Sequence, residues 1–521
     1  MINQVLNMKT VTRFLTIGAC LTLAGTSWGA AVTNYFRAAA VTKTMGDGTP
    51  VVMWGFAKDS GPAVDDGVVT VPGPKIELPP GSQDLWIFLE NTLPEPVSIV
   101  IPGLGAALGD PQRNPDGRAR SLTHEAAAAV GTVKGTAVYT WSLNPGALIS
   151  GTYLYHSGSH PAVQVQMGLY GALTKLQANN RAYGSVATHN SEATLLFSEV
   201  DPVLHDAVAT GNYGPGLAVR STTGYRARYF LINGQSYTNG FETNGLAHIL
   251  AGNIPNNNAQ QNVLLRFLNA SLDSHVPILN GEYLKLIAED GKPYQYLQDS
   301  CAPQLPSLKT LDAFWLPTRA GTFPLYDRRL DLVNNATAPG GMLTYLAFSK
   351  TFTGGAVSIP ANGSGGPYPS SINVSGLQGV VSKVSVRLNS FRHPRPQDVD
   401  ILLVGPANNS ANSVLFMSDV GGTTAINVAN AVTLTFDDAA VANLTSAPLV
   451  TGTYKPTNLA GAADTFPSPA PGGPYGSTLS TLNSTNPNGT WRLFVRDNAS
   501  GPGGTTGNIA SWNLIITPRP Q

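Results

Sequence analysis

Apolar and polar residues alternate with a period of two in short runs along most of the chain, and Gly, Pro, Asn or Asp punctuates the runs at short intervals. Residues 85–91 (LWIFLEN), 263–270 (VLLRFLNA) and 380–388 (VVSKVSVRL) are representative. Such runs predict strands, and many short strands between turn signals predict packed sheets rather than helices. Strands are expected first at 51–54, 71–77, 85–91, 97–101, 136–143 and 151–156. A second group falls at 193–197, 228–234, 263–270, 283–291, 311–315, 327–331 and 342–347. A third falls at 371–375, 380–388, 393–406, 413–417, 433–438, 452–456, 488–497 and 510–516. In the stretch 151–173, GTYLYHSGSHPAVQVQMGLYGAL, Leu154 and His156 share one side of the first strand and Tyr153 and Tyr155 the other. Gly158 and Pro161 break it, and the alternation Val163-Gln164-Val165-Gln166-Met167 predicts another strand ending at Gly168.

The chain has 521 residues, room for three domains of ordinary size. Charged residues make up only 12%, against 55 glycines and 39 prolines, a balance that suits turn-rich β-sandwiches. The three groups of strands give domains at 32–178, 192–350 and 352–521, the last following a change of composition at Gly354-Gly355 and 362–366. The formal net charge is zero, so nothing in it points to nucleic acid or an anionic membrane surface. Residues 1–31 read as a secretory signal peptide: Lys9 and Arg13 precede an apolar run at 14–24, then small residues follow. The mature protein is therefore expected to be secreted, periplasmic or at the cell surface. No later run is apolar over the roughly 18 residues of a membrane span. Once Cys20 is removed only Cys301 remains, expected as a buried thiol with no disulfide partner.

Five features in one order resemble the first cupredoxin domain of multicopper oxidases. They are VPGP at 71–74, NTLP at 91–94, Tyr139-Thr140-Trp141, GTYLYH at 151–156 and GLYGAL at 168–173. Asn233-Gly234, RFLNA at 266–270 and Glu289-Asp290-Gly291 are similar to the second domain of that family. The resemblance implies an all-β chain with two Greek-key sandwiches, and copper as the metal. It also implies a His-x-His pair on the strand at 97–103, which here reads VSIVIPG and has no histidine. The matching second pair is His156 and residue 158, which is glycine. His160 from the following loop and the neighbouring His124-Glu125 complete a candidate copper or zinc site of His156, His160, His124 and Glu125. The alternative is that these groups are hydrogen-bonded loop and sheet-edge residues. A separation of their ring nitrogens too large to share an ion favours that alternative. A blue-copper centre needs two histidines and a cysteine, and Cys301 has no histidine beside it. His275 is expected as a strand-end histidine with a backbone partner, and Glu199, Asp201, Glu289 and Asp290 as turn and capping groups.

NGTWRLFVRD at 488–497, followed by Ser511-Trp512-Asn513-Leu514, resembles the P/Homo B jelly roll of kexin-like proprotein convertases. That resemblance implies an exported β module, with calcium as a candidate ligand of Asp398, Asp437, Asp438 and Asp497. The convertases' catalytic segments are missing. A Ser-His-Asp triad is nonetheless recognised by geometry rather than by order. Three function classes follow. The first is a multicopper-oxidase-like protein holding a single transition metal, with oxidase turnover not expected because most copper ligands are missing. The second is a non-catalytic extracellular binding or adhesion protein with a protein or surface partner. The third is a protein associated with proteolysis through its C-terminal domain.

Overall fold

The computed structural model describes residues 31–82, 84–104, 109–142, 149–184, 188–238, 248–255, 261–459, 464–498 and 506–520. Apart from Ala31, the expected signal peptide lies outside them. The chain is all-β, with two short α-helices among the described residues.

The first sandwich pairs a four-stranded with a three-stranded sheet. The larger runs in the order Pro50–Asp59, Ala31–Thr44, Asp84–Asn91, Gly135–Ser142. Its central pair, Ala31–Thr44 with Asp84–Asn91, is parallel and the others are antiparallel. The smaller sheet is Ile76–Leu78, Tyr170–Lys175, Gly151–His156. Leu85, Ile87 and Leu89 point inward onto Trp141, Tyr153 and Tyr155, as the period-two reading of 85–91 requires.

The predicted strand at 163–167 is instead helix α1, Pro161–Met167. Five alternating residues do not separate strand from helix, and Pro161 at the first helical position is a helix-start signal. Both "polar" positions of the alternation are buried and bonded. Gln164 donates to Pro96 O at 2.9 Å and accepts from Ser157, while Gln166 donates to Ala270 O and accepts from Tyr225.

The second sandwich has a six-stranded sheet ordered Tyr229–Ile232, Ser191–Val200, Val263–Asn269, Thr310–Trp315, Leu284–Glu289, Lys292–Ser300. Helix α2, Pro202–Ala209, leaves its first strand and is capped by Asp201, which accepts from Val203 N at 2.9 Å. The strand expected at 327–331 is Gly321–Asp327 instead, because the chain turns after Asp327 and Leu330 takes a φ of 64°. Cys301 is exposed, just past the end of Lys292–Ser300, rather than buried.

The passage to the third sandwich is continuous. Leu343–Gly354 pairs first with Gly321–Asp327 and then, from Lys350 on, with Ser511–Arg519 of the C-terminal region. One nine-stranded sheet therefore crosses the expected boundary near 352, and Phe352 packs into the third core. The opposing sheet is built on Gly489–Asp497, Val399–Val404 and Ser413–Ser418. Trp491 and Trp512 are fully buried in this core, and their indole N–H groups donate to Pro487 O and Ser370 Oγ.

Gly151–His156 is buried along its whole length because it is covered on both sides. Tyr153 and Tyr155 enter the first core, while Leu154 joins an apolar seam with Leu196, Leu231 and Leu268 of the second sandwich. Beside it the Arg266 guanidinium, 0% exposed, donates to Thr152 Oγ1 at 2.8 Å and to Glu192 at 2.8 Å. It lies 3.6 Å from Asp312, which accepts from Thr152 at 2.7 Å and from Tyr183. Burial opposes the charge on Arg266, but Asp312 and Glu192 hold its pKa above the usual value. Asp312→Ala leaves this guanidinium buried with half its pairing, and is expected to cost about 3–5 kcal/mol in chemical denaturation. Asp312→Leu combined with Arg266→Met is expected to cost clearly less, since no unpaired charge remains.

Candidate functional site

The four groups read as a candidate copper or zinc site occupy one end of the first sandwich, and each has other business there. His124 stacks on Tyr139 at 4.5 Å, with Nε2 2.9 Å from Val138 O and Nδ1 3.2 Å from Thr123 Oγ1. Glu125 is in an ion pair with Arg120 and accepts from Ser159 Oγ at 2.6 Å. His160 precedes α1 in a left-handed conformation, φ 37°, with its ring half exposed and 3.7 Å from Glu95. His156 is buried and donates from Nδ1 to Ser157 O at 2.8 Å, a bond that fixes Nε2 as the lone-pair nitrogen. Among the described residues Nε2 has no hydrogen-bond partner, and burial lowers the pKa of the ring.

The segment 97–101, expected as a strand, forms only isolated bridges, one of which sets Val100 beside His156. Val100 and His156 exchange backbone hydrogen bonds of 2.9 and 3.0 Å. In place of imidazoles the pocket holds hydroxyls: Ser98, Ser121 and Ser159 are mutually bonded at 3.0–3.2 Å, and Ser159 joins them to Glu125. Gly158 is packed so closely that a Cβ would stand 2.8 Å from Val100 and 3.0 Å from Ser98. A histidine at 158 has no room. The donor set therefore does not fit a trinuclear copper centre.

Among the described residues, one group of three or more His, Cys, Asp or Glu side chains has all its ligand atoms within 4.8 Å of one another. It is His275, Asp327 and Asp331, in the second sandwich. His275 bridges Leu305 through its backbone, as a strand-end histidine would, but its ring is held by side chains. Nδ1 is 2.8 Å from Asp327 Oδ2, and Nε2 is 2.9 Å from Ser271 Oγ. Serine, histidine and aspartate thus stand in hydrogen-bonded order, the connectivity of a hydrolytic triad. Their burial removes them from that role: Ser271, His275 and Asp327 are all 0% exposed, so no substrate carbonyl reaches the hydroxyl. Glu199 closes the other side, 3.8 Å from Nε2, with Oε1 accepting from Leu272 and Asp273 N–H. Burial pushes Glu199 up, and it pushes Asp331 up to about 6 with the help of neighbouring Asp327. Asp327 itself is held below the usual range, because hydrogen bonds from His275 and Val276 N–H outweigh its burial. The composition of this cluster was not legible in advance, since Ser271, His275 and Asp327 are brought together only by sheet pairing.

In the third sandwich the four aspartates read as calcium donors are engaged separately. Asp398 pairs with Arg395 at 3.2 Å, Asp437 with Lys383 at 2.8 Å and Asp497 with His393 at 3.1 Å. Asp438 accepts from Leu479 and Ser480 N–H at 2.9 and 2.7 Å. Carboxylates converge elsewhere: Asp400, Asp419 and Asp464 lie 2.8, 3.0 and 3.1 Å from the single hydroxyl of Ser418. One hydroxyl proton serves only one of them at a time. Burial, with Asp464 and Asp419 adding to it, raises Asp400 to about 7.

The fourth feature is a cleft of about 430 Å³ between the first turn of α2 and the loop that follows it. Arg220, Arg226 and Arg228 line it together with Asp201, Ser221 and Thr222.

No known family profile matches this chain, and no curated protein does. Solved structures do. A multicopper oxidase, mgLAC, is 18% identical over 61% of this chain and 86% of its own, with a TM-score of 0.47. The blue copper oxidase from Nitrosomonas europaea is 16% identical over 61% and 86%, TM-score 0.46. The copper nitrite reductase from Nitrosomonas europaea is 15% identical over 61% and 94%, TM-score 0.41. These likenesses carry nothing about chemistry.

Two outcomes follow. A fluorophosphonate probe is expected to leave Ser271 unlabelled in the native protein, while His275→Ala lowers the melting temperature by leaving Asp327 buried without its partner. For Asp400 the sign is worked from its two pKa values. The unfolded carboxyl ionises near 3.8 and the folded one near about 7, so the folded state binds more protons between them and stability falls as pH rises through that window. Melting curves at pH 5 and pH 8 are expected to show a smaller pH difference in Asp400→Asn than in wild type.

Proposed function

We propose that this chain is an exported, non-catalytic binding protein, built on two cupredoxin-type sandwiches and a C-terminal P/Homo B-like module. Support comes above all from Gly158. The position that a copper oxidase would fill with a ligand is closed by Val100 and Ser98, and the space around it is taken up by bonded serines. Converting this end to a copper centre would take changes in the side chains of Val100 and Ser98 as well as at Gly158. The P/Homo B part rests on the sequence pattern around Trp491 and Trp512, both buried in the third core. Export rests on the pattern at 1–31.

One observation favours a second reading, in which a single soft metal ion sits on His156. Nε2 is a buried lone-pair donor with no hydrogen-bond partner. Such an ion would be held by His156 with whatever donors rearrange toward it. One experiment separates the two. The full chain is purified without chelators, reconstituted with Cu(I), Cu(II) and Zn(II), desalted, and assayed for metal content and for oxygen consumption with a phenolic reductant. The binding-protein proposal expects only substoichiometric metal and no oxygen uptake. Stoichiometric copper lost in His156→Ala would replace it with the single-metal reading, and oxygen uptake by wild type would overturn it.

A further inference from the structure

We infer that the cleft between α2 and the 218–228 loop binds a compact polyvalent oxyanion, one carrying carboxylate, sulfate or phosphate groups. This inference is independent of whether the first sandwich holds a metal. The chain carries only 31 lysines and arginines in 521 residues, yet Arg220, Arg226 and Arg228 line this one concavity. All three are exposed, and none is in an ion pair among the described residues. Like charges gathered in one concavity repel one another, so the arrangement gains free energy when an anion enters. Arginine also presents a planar fork of donors that matches the paired oxygens of carboxylate, sulfate and phosphate.

The only carboxylate in the lining does not cancel this charge. Asp201 is 4% exposed, and both its oxygens are occupied by backbone donors, Val203 N–H at 2.9 Å and Arg226 N–H at 2.9 Å. It fixes the loop to the start of α2 rather than pairing with a guanidinium. Ser221 accepts from Thr223 N–H within the same loop, and Tyr225 anchors the floor by donating to Gln166 of α1. The walls are thus tied to both sandwiches while the arginine side chains stay free. At about 430 Å³ the cleft is of the size that takes a small ligand rather than a protein segment. Ser221 and Thr222 line the same cleft, which suits a ligand that carries hydroxyls as well as oxyanions.

The test is titration calorimetry of the full chain at low ionic strength with three probes: inorganic phosphate, citrate and a sulfated disaccharide. Wild type is expected to bind at least one with a Kd below about 1 mM, weakening as salt is added. Which probe binds tightest distinguishes a phosphate, a carboxylate or a sulfated-sugar source. The double variant Arg226→Gln, Arg228→Gln replaces exposed side chains and is expected to keep the wild-type melting temperature while losing about tenfold or more in affinity. Arg220→Lys keeps the charge but not the fork, and is expected to lose a smaller factor. Binding unchanged in the folded double variant, or no probe bound by wild type, would overturn the inference.

Discussion

A charge buried between two sandwiches sets the terms for much of this molecule. Arg266 has no contact with water, so every donor on its guanidinium must be answered by protein. Glu192 and Asp312 answer from its own sheet and Thr152 from the neighbouring domain. Thr152 also donates to Asp312 and, through its carbonyl, accepts from Thr310, so the edge strand of the first sandwich is fixed in register against the second. The apolar seam around Leu154 supplies the driving force for docking, and the buried pair supplies its alignment. His156 lies four residues beyond Thr152 on the same strand, so the end of the first sandwich inherits its position from that contact.

Two sites in this protein carry the residue types of known chemistry without its access or its room. In the first sandwich the backbone of His156 pairs with that of Val100, and Val100 and Ser98 pack closely on Gly158, where a second ligand would stand. In the second, Ser271, His275 and Asp327 are bonded in triad order but sealed, with Glu199 against the open side. In both, buried polar groups are answered by one another, which makes them specific and rigid parts of the core. The exposed arginines of the α2 cleft are the opposite case: charged groups that the protein itself leaves unanswered.

The all-β class was legible where period-two alternation survives, as at Leu85, Ile87 and Leu89. The capping role of Asp201 was legible for a local reason, since it bonds the backbone two residues on, whereas Asp290 accepts from the distant Thr310 N–H. Reading failed where burial was two-sided or partners were remote. Val163 to Met167 alternates, but all five residues are buried, and Pro161 with the bonds made by Gln164 and Gln166 decided for a helix. The boundary near 352 looked like a linker because glycines follow it, yet Leu343–Gly354 runs unbroken into the third domain's sheet. The aspartates chosen as calcium donors were those at strand ends, whereas the ones that converge, Asp400, Asp419 and Asp464, meet through strand pairing and a loop return.

By itself, then, the sequence determined the class of structure and the inward face of most strands, because both follow from local alternation and turn chemistry. It also determined that histidines are absent from 97–103 and from position 158, since an absent histidine needs no coordinates. Only the tertiary structure decided what stands in their place, which aspartate meets which histidine, and where three arginines come to share a cleft with the start of α2. Those are facts about side chains dozens of residues apart, and their proximity is set by sheet order and domain docking rather than by any pattern a single strand carries.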